Sequence, residues 1–256
     1  MKLSVIILTY NEEKHIAACI HSAQWADEII VFDSFSTDRT VQIAREGGAQ
    51  VIQHVFVNYS QQREAALQAT DAEWVLFLDA DERTPSALAE EIRAAIANPS
   101  VDGYWIPRHN YIFGKVTLGA GWYPDHQLRL LRRAKAHYDL TREVHELVQL
   151  EGVEGYLETP LIHYNYENAA QFAQKQRRYT RFAAQEMYAQ GIRVKPQNYI
   201  LQPLRHFQWR FVALKGYRIG WHGLRLSLLM AWYEFKKYQW LAQLWRKASH
   251  PPPAAP

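Results

Sequence analysis

Four short apolar runs alternate with amphipathic segments over the first hundred residues. Each run is rich in β-branched or aromatic side chains and has the length of one buried strand; the runs are 3–9, 28–33, 50–55 and 74–79. The segments between and after them have helical spacing and predict helices over about 12–24, 38–46, 60–69 and 85–98. Continuous apolar strands that alternate with helices predict a mostly parallel sheet covered on both faces.

The pattern changes beyond residue 100. Strands are predicted near 101–109, 127–132, 143–150 and 155–163, separated by loops that contain glycine and proline. From about Glu167 the spacing becomes helical, and the chain closes on the proline-rich stretch 251–256. We therefore predict an α/β domain over 1–165, a helical region over 166–250 and a disordered tail over 251–256.

Charge is distributed unevenly along the chain, although its net value is only +3. Residues 1–170 carry 14 basic and 24 acidic side chains, whereas residues 171–256 carry 15 basic and two acidic ones. The second part also holds five of the nine tryptophans. Such asymmetry indicates an anionic partner for the basic part: a membrane surface, a nucleic acid or a phosphorylated substrate.

The basic part contains no segment that predicts a membrane-spanning helix. Within 221–245, its longest uncharged stretch is Leu226–Tyr233, and a spanning helix needs about 20 apolar residues. Tryptophan, leucine and basic residues that interleave favour an interfacial amphipathic helix, and the alternative is a helix packed on the first domain with a solvated basic face. The single cysteine, Cys19, and the lack of a signal-peptide pattern after Met1 predict a cytoplasmic location.

Polar side chains stand where three of the predicted strands end. Thr9 to Asn11, Asp33 and Asp79 occupy these positions, and ligands of parallel sheets bind beyond the carboxyl ends of the strands. In Asp79-Ala80-Asp81, two carboxylates can reach one site, and such hard oxygen ligands suit Mg²⁺ or Mn²⁺. The alternative is a pair of solvated turn acids or a helix cap.

Phosphate-binding glycine motifs are missing from the sequence after the first strand. Neither a G-x-G-x-x-G motif nor a P-loop occurs there, and Thr9-Tyr-Asn-Glu12 stands in their place. A phosphorylated ligand would therefore be met by a metal ion. Three arginines in the predicted strand near 130, Arg129, Arg132 and Arg133, would either meet phosphates or be solvated.

Three motifs in this order resemble family 2 glycosyltransferases of the GT-A fold. They are Leu3–Glu12 (LSVIILTYNE), Ile30–Thr40 (IVFDSFSTDRT) and Phe77–Glu82 (FLDADE). The later half is similar to the branch that includes lipopolysaccharide core β-1,4-glucosyltransferases, through Trp122–Leu130 (WYPDHQLRL), Val144–Glu146 (VHE) and the basic, tryptophan-rich C-terminal region. The resemblance implies a nucleotide-diphosphate sugar donor, most simply a UDP-sugar, and inversion at the anomeric carbon.

The resemblance also assigns roles to individual residues. It implies nucleoside or donor contacts from Thr9, Tyr10, Glu12, Asp33, Gln62, Arg63, Asp79 and Ala80. It implies metal ligation by Asp79, Asp81 and His163. For Arg63 a surface position is the alternative, and for His163 a structural role.

An inverting transfer requires a carboxylate that takes the proton from the acceptor hydroxyl. Glu146 falls at the position of the family's catalytic acid motif, and Asp125, in a loop expected to border the acceptor, is the rival. The implied acceptor is a lipid-linked glycan or the lipopolysaccharide core, reached from an anionic membrane surface on the cytoplasmic face of the inner membrane.

Two other functions compete with glycosyl transfer. A nucleotidyltransferase also uses an α/β fold with paired acids, but it usually has a glycine-rich, basic first loop, which this chain lacks. A nucleic-acid-binding protein could act through the basic region, but the acidic first domain would then have no explanation. Nucleic acid is therefore not the expected partner.

Overall fold

The computed structural model describes residues 1–140 and 148–249, and in them it contains twelve strands and seven α-helices. The strands are β1 (Leu3–Thr9), β2 (Glu28–Asp33), β3 (Gln50–Gln53), β4 (Trp74–Asp79), β5 (Glu82–Arg83), β6 (Gly103–Ile112), β7 (Lys115–Val116), β8 (His126–Arg132), β9 (Ala136–Tyr138), β10 (Val148–Leu150), β11 (Glu154–Tyr156) and β12 (Leu161–Tyr166). The helices are α1 (Ile16–Ala23), α2 (Thr40–Glu46), α3 (Tyr59–Leu67), α4 (Ser86–Ala95), α5 (Ala169–Ala189), α6 (Asn198–Gln208) and α7 (Gly220–Ser249).

One mixed sheet organises the first part of the chain. Its strand order is β3-β2-β1-β4-β8-β6-β12-β5. The first four strands pair in parallel, whereas β8 runs antiparallel to both β4 and β6. The predicted α/β class with a mixed sheet is confirmed.

Both faces of this sheet are buried, because successive side chains along a strand point to opposite sides. Val5 and Ile7 pack with α1 in one apolar cluster, and Ile6 and Phe77 pack with α3 in the other. All four side chains are fully buried. Each contributes about 1.5–3 kcal/mol through burial, so the two cores hold the strand ends in a fixed register.

That register brings the polar strand ends together. Thr9 lies opposite Asp33 in the β1–β2 pair, and Leu8 lies opposite Asp79 in the β1–β4 pair. The expectation that these residues share one edge of the sheet follows from the parallel pairing and is met.

The first helix begins later than its spacing predicts. The Asn11 side chain does not cap α1, since its Oδ1 accepts a hydrogen bond from the Thr37 backbone N–H at 2.8 Å. Asn11 also has a φ of 56°, which places it in a turn. Asp38 accepts a hydrogen bond from the Thr40 N–H at 2.9 Å where α2 begins. Asn11, Ser36 and Thr37 therefore join the loops that follow β1 and β2, and their side chains do not cap α1 or α2.

The chain forms two compact units. The first contains residues 1–109 and 125–164, and the second contains residues 110–124 and the chain from Asn165 onward. The sequence-based division at residue 165 placed 110–124 in the first domain, whereas the structure groups this segment with the helical unit. Two apolar clusters stabilise the second unit: one includes Phe172 and Leu226, and the other includes Ala184 and Leu241. Among residues 1–140 and 148–249, no helix combines the length and apolar character needed to cross a membrane.

Candidate functional site

Asp33, the last residue of β2, accepts hydrogen bonds on both of its carboxylate oxygens. Its side chain is fully buried and accepts hydrogen bonds from Thr9 Oγ1 at 3.1 Å, from the Ser36 N–H at 2.9 Å and from Gln53 Nε2 at 3.2 Å. The Ser36 hydroxyl in turn accepts a hydrogen bond from the Asn11 N–H at 2.8 Å. Asp33 thereby holds together the two loops that follow β1 and β2.

These loops carry exposed side chains above the buried acid. Tyr10 is 59% exposed and Phe35 is 50% exposed, and Phe35 is held in the turn by a φ of 58°. The Glu12 N–H donates to Thr40 Oγ1 at 2.8 Å, which fixes the backbone beside Tyr10. The structure therefore offers two accessible aromatic rings on an ordered loop pair.

The third helix presents two buried polar residues. Asn58 caps α3 by accepting a hydrogen bond from the Gln61 N–H. Gln62 contacts His54 Nδ1 at 3.0 Å and donates to Ser34 Oγ at 3.1 Å. Arg63 is 6% exposed, so the surface alternative for this residue is wrong.

Asp79 sits between two guanidinium groups. Arg63 Nη2 lies 3.1 Å from its Oδ1, and Arg129 contacts both of its oxygens. Burial acts to raise the pKa of Asp79, but the charges of Arg129 and Arg63 outweigh it and hold that pKa well below its usual range. The sequence assigned Asp79 to the metal and the donor, and in the structure its oxygens are engaged by arginines.

A chain of ion pairs extends from Asp79. Glu82 is fully buried and contacts Arg108 Nη1 at 3.1 Å and Arg129 Nη2 at 3.4 Å. Arg108 also donates two hydrogen bonds to Asp125 Oδ2, at 3.0 and 2.7 Å. Three carboxylates and three arginines thus alternate in one network. Arg108 was not among the residues predicted from the sequence, and Arg129 was expected either to meet phosphates or to be solvated.

A polar cavity of about 230 Å³ opens beside this network. Its lining includes Arg63, Asp79, Arg108, Gln127 and Arg129, together with Tyr138. Arginine N–H groups and carboxylate oxygens occur side by side there. Such a wall can both donate hydrogen bonds to hydroxyl groups and accept hydrogen bonds from them.

Asp81 and His163 form a separate pair. Asp81 Oδ2 lies 3.5 Å from His163 Nε2, and the Tyr164 N–H donates to the Asp81 carbonyl at 3.0 Å. The strand pairing explains this proximity, because His163 of β12 is opposite Glu82 of β5. Ala80, between the two aspartates, is buried, and its carbonyl accepts a hydrogen bond from Arg83 Nη1 at 2.7 Å.

The Asp81–His163 pair fits a divalent cation. A carboxylate oxygen and an imidazole nitrogen this close can both reach one ion at metal–ligand distances of about 2.0–2.2 Å. Among the described residues no group of three or more histidine, cysteine, aspartate and glutamate side chains could hold a metal. The Asp81 carboxylate suits Mg²⁺ or Mn²⁺, and such an ion commonly takes further oxygen ligands from substrate phosphates and water.

Of the two candidates for the base, Glu146 and Asp125, the structure describes only Asp125. Glu146 lies outside the described residues. Asp125 is described, and Gln127 Nε2 donates to its Oδ1 at 2.9 Å while Arg108 occupies its Oδ2. Both carboxylate oxygens of Asp125 are therefore engaged by neighbouring side chains.

The sequence comparison identifies the family. The family model for Glycosyl transferase family 2 matches residues 4–144, which is more than half of the chain. The chain belongs to this family. The enzyme is therefore a glycosyltransferase, and the match favours glycosyl transfer over the nucleotidyltransferase and nucleic-acid alternatives.

Two relatives show how far the similarity extends. The lipopolysaccharide core biosynthesis glycosyltransferase LpsC of Rhizobium meliloti is 28% identical over 247 residues, covering 92% of this chain and 90% of that protein. An uncharacterized glycosyltransferase of Rickettsia typhi is 41% identical over 104 residues, covering 40% of this chain and 36% of that protein. The second match is limited to a shared segment.

A solved structure supports the fold. Staphylococcus aureus TarS (residues 1–349), crystallised in complex with UDP-GlcNAc, has a TM-score of 0.50 and 18% identity, with 97% of this chain and 92% of that chain covered. At this identity, the likeness concerns the fold alone.

Proposed function

We propose that this family 2 glycosyltransferase transfers a hexose, taken here as glucose, from a UDP-sugar to a lipid-linked or lipopolysaccharide-core acceptor, with inversion and with Mg²⁺ or Mn²⁺. The observation that carries the proposal is the pair formed by Asp81 and His163, in which Oδ2 lies 3.5 Å from Nε2. Asp81 follows Asp79, the strand-end member of the ion-pair network, by two positions. The similarity to LpsC supports the acceptor class.

The nucleoside would bind at the loops that follow β1 and β2. Asp33 and Thr9 form the buried floor that fixes both loops, and Tyr10 and Glu12 stand on the first loop. Tyr10 is accessible for stacking against a planar base. In this proposal Asp33 acts mainly as a positioning residue, because its oxygens already accept hydrogen bonds from the protein.

The diphosphate would meet Asp81 and His163 through the cation. When bound, the cation offsets the negative charge that builds on the departing diphosphate. The residues of the Asp79 network then line the neighbouring polar cavity. We assign the donor hexose to this cavity, because its mixed donors and acceptors match sugar hydroxyl groups.

We further propose Glu146 as the base. Asp125 is held by Arg108 and Gln127, and we assign it a structural role in the network. The base must remove a proton from the acceptor hydroxyl as that hydroxyl attacks the anomeric carbon.

Steady-state transfer from UDP-glucose to a deacylated lipopolysaccharide core, followed by NMR at the anomeric centre, tests these assignments. Glu146→Gln should lower kcat by about 100-fold or more, with the KM for the donor changed little. Asp71→Asn, at an exposed acid, is the control and should behave as the wild type. A normal kcat in Glu146→Gln together with a large loss in Asp125→Asn would transfer the role to Asp125. Retention of anomeric configuration, or transfer with no nucleotide sugar, would contradict the mechanism.

The helical unit is proposed to rest on an anionic membrane surface at the cytoplasmic face of the inner membrane. Large apolar side chains are exposed on it: Ile200 (71%) and Leu204 (59%) on α6, and Trp221 (77%) and Leu228 (52%) on α7. This unit contains 16 basic and three acidic residues. Exposed apolar residues combined with such an excess of basic charge are typical of interfacial binding to anionic lipids.

A further inference from the structure

A groove between α5 and α7 combines cationic and aromatic side chains. It has a volume of about 400 Å³, within the range of ligand pockets. Its lining consists of Arg177, Arg181, Trp232, Tyr233, Lys236 and Trp240. Arg177 and Arg181 also line a wider hollow of about 640 Å³ along α5, so the groove continues along that helix.

Among the described residues, the positive charges of the groove have no acidic partner. In the part of the chain that the structure describes, Arg177 and Arg181 form no ion pair. Lys236 Nζ donates to the neutral Oε1 of Gln239 at 3.0 Å, while the nearby Glu234 pairs with Lys237 at 2.8 Å. None of the six described residues that line the groove carries a carboxylate. Uncompensated guanidinium groups of this kind bind phosphate or carboxylate through paired hydrogen bonds.

The tryptophans make the groove more than a basic patch. The Arg181 guanidinium lies 5.2 Å from the Trp240 ring, and Lys236 Nζ lies 4.8 Å from the Trp232 ring. Trp232 is also 52% exposed. Indole faces stack on the apolar C–H faces of pyranose rings, so cations held beside them suit a sugar that carries its own negative charge.

We propose that the α5–α7 groove binds an anionic sugar of the acceptor, one that carries a phosphate group. The proposal rests on the glycosyl-acceptor role proposed above and adds the chemical class of the acceptor. The groove is a different surface from the proposed membrane contact, which uses the apolar side chains Ile200, Leu204, Trp221 and Leu228.

Direct binding without donor or metal tests the groove separately from catalysis. The probe is a deacylated, phosphorylated lipopolysaccharide core oligosaccharide, titrated into the full chain by calorimetry, and the same oligosaccharide after removal of its phosphates. We expect the loss of phosphate to weaken binding by about tenfold or more, the size expected of lost charge-assisted hydrogen bonds.

Variants then locate the site. Arg177→Gln combined with Arg181→Gln should weaken binding by about tenfold or more, and Lys at both positions should restore part of it because the charge is kept. The control is Arg246→Gln combined with Lys247→Gln, which removes two charges at the end of α7 outside the groove. Melting curves of all variants establish that they are folded.

Three outcomes would overturn the proposal. The first is unchanged oligosaccharide binding in the Arg177/Arg181 double variant. The second is binding of single-stranded RNA at the groove that equals or exceeds oligosaccharide binding. The third is a double variant that loses binding to phosphatidylglycerol vesicles but not to the oligosaccharide. If the double variant binds normally while transfer proceeds, only the groove assignment fails. If binding follows the phosphate and the double variant but no nucleotide sugar is used, only the proposed reaction fails.

Discussion

At the scale of single residues, the Asp79 network shows how buried carboxylates at the strand ends are stabilised by arginines. Removing charges from water costs several kcal/mol per ion, and the cost is offset only when partners and hydrogen bonds are in place. Glu82 has such partners, because it contacts Arg108 and Arg129 and also accepts a hydrogen bond from the Asp79 N–H at 2.9 Å. Asp81, two positions beyond Asp79, lies beside His163, with Oδ2 3.5 Å from Nε2.

The network predicts unequal costs for removing two similar charges. Glu82→Gln should lower the free energy of unfolding by about 3 kcal/mol, the lower end for a broken buried pair, because both arginines retain another carboxylate. Glu73→Gln removes a carboxylate that is 43% exposed and pairs with Arg132, and should cost less than about 1 kcal/mol. Urea unfolding of both variants measures the difference. Equal costs would show that the Glu82 pairs contribute no more than a surface ion pair.

The site was predictable where it depends on parallel strands. Asp33 and Asp79 come directly after apolar runs, so their shared edge follows from the sequence. Arg108 and Arg129 were not assigned to the site, because they reach it through the antiparallel pairing of β6, β8 and β4, and strand order is not encoded in local periodicity. The Asp81–His163 contact likewise depends on pairing between distant segments, and only the family resemblance indicated it.

At the scale of elements, the helical unit contains a glycine whose role conflicts with helix propensity. Gly223 lies within α7, where alanine would normally be favoured by about 1 kcal/mol. A Cβ at this position would meet the carbonyl oxygen of Gly216 and the side chain of Ile219, in the 3₁₀ turn Gly216–Ile219 that precedes α7. A backbone oxygen cannot move aside as a flexible side chain can.

Gly223→Ala should therefore destabilise the protein, although it improves helix propensity. Overpacking of this kind costs about 1–3 kcal/mol, which would lower the melting temperature by several degrees. Ala242→Gly on the same helix is the comparison and should cost about 1 kcal/mol through propensity alone. Circular dichroism melts of both variants provide the measurement. A higher melting temperature for Gly223→Ala would mean that the close approach to Gly216 is not part of the fold.

Element boundaries show where sequence patterns lose accuracy. The bounds of β1, β2 and β4 agree with their apolar runs, because most residues of each run are buried. The start of α1 does not, since Asn11 serves the neighbouring loop rather than the helix. A polar side chain such as that of Asn11 can accept a hydrogen bond either from a helix end or from a loop. Tertiary contacts decide between the two, and local sequence does not contain them.

At the scale of the whole molecule, the modest net charge hides two units of opposite character. The helical unit has 16 basic and three acidic residues, whereas the rest of the chain has 13 basic and 23 acidic residues. Each basic residue near an anionic bilayer contributes about 1 kcal/mol. The apolar residues exposed on α6 and α7 add hydrophobic contact to this attraction.

Sedimentation with lipid vesicles tests the membrane proposal. The protein should pellet with phosphatidylglycerol vesicles more than with phosphatidylcholine vesicles, and added salt should weaken binding because it screens exposed charges. Ile200→Ser combined with Trp221→Ser should reduce binding by about tenfold or more, because apolar burial is lost. Tyr156→Ser, at a side chain that is 66% exposed in the first unit, is the control. Equal pelleting of the double variant and the wild type would exclude this face as the contact.

The central claim is that Asp81 and His163 hold the divalent cation through which a uridine diphosphate binds. Its most direct measurement is calorimetric titration of UDP into the full chain with Mn²⁺ and, separately, with the metal chelated. We predict that Mn²⁺ tightens UDP binding by about tenfold or more in the wild type and in the exposed-acid control Asp71→Asn. Asp81→Asn should lose this gain in UDP affinity while its melting temperature is unchanged. Equal UDP affinity with and without Mn²⁺ in the wild type, or a full metal effect in Asp81→Asn, would contradict the claim.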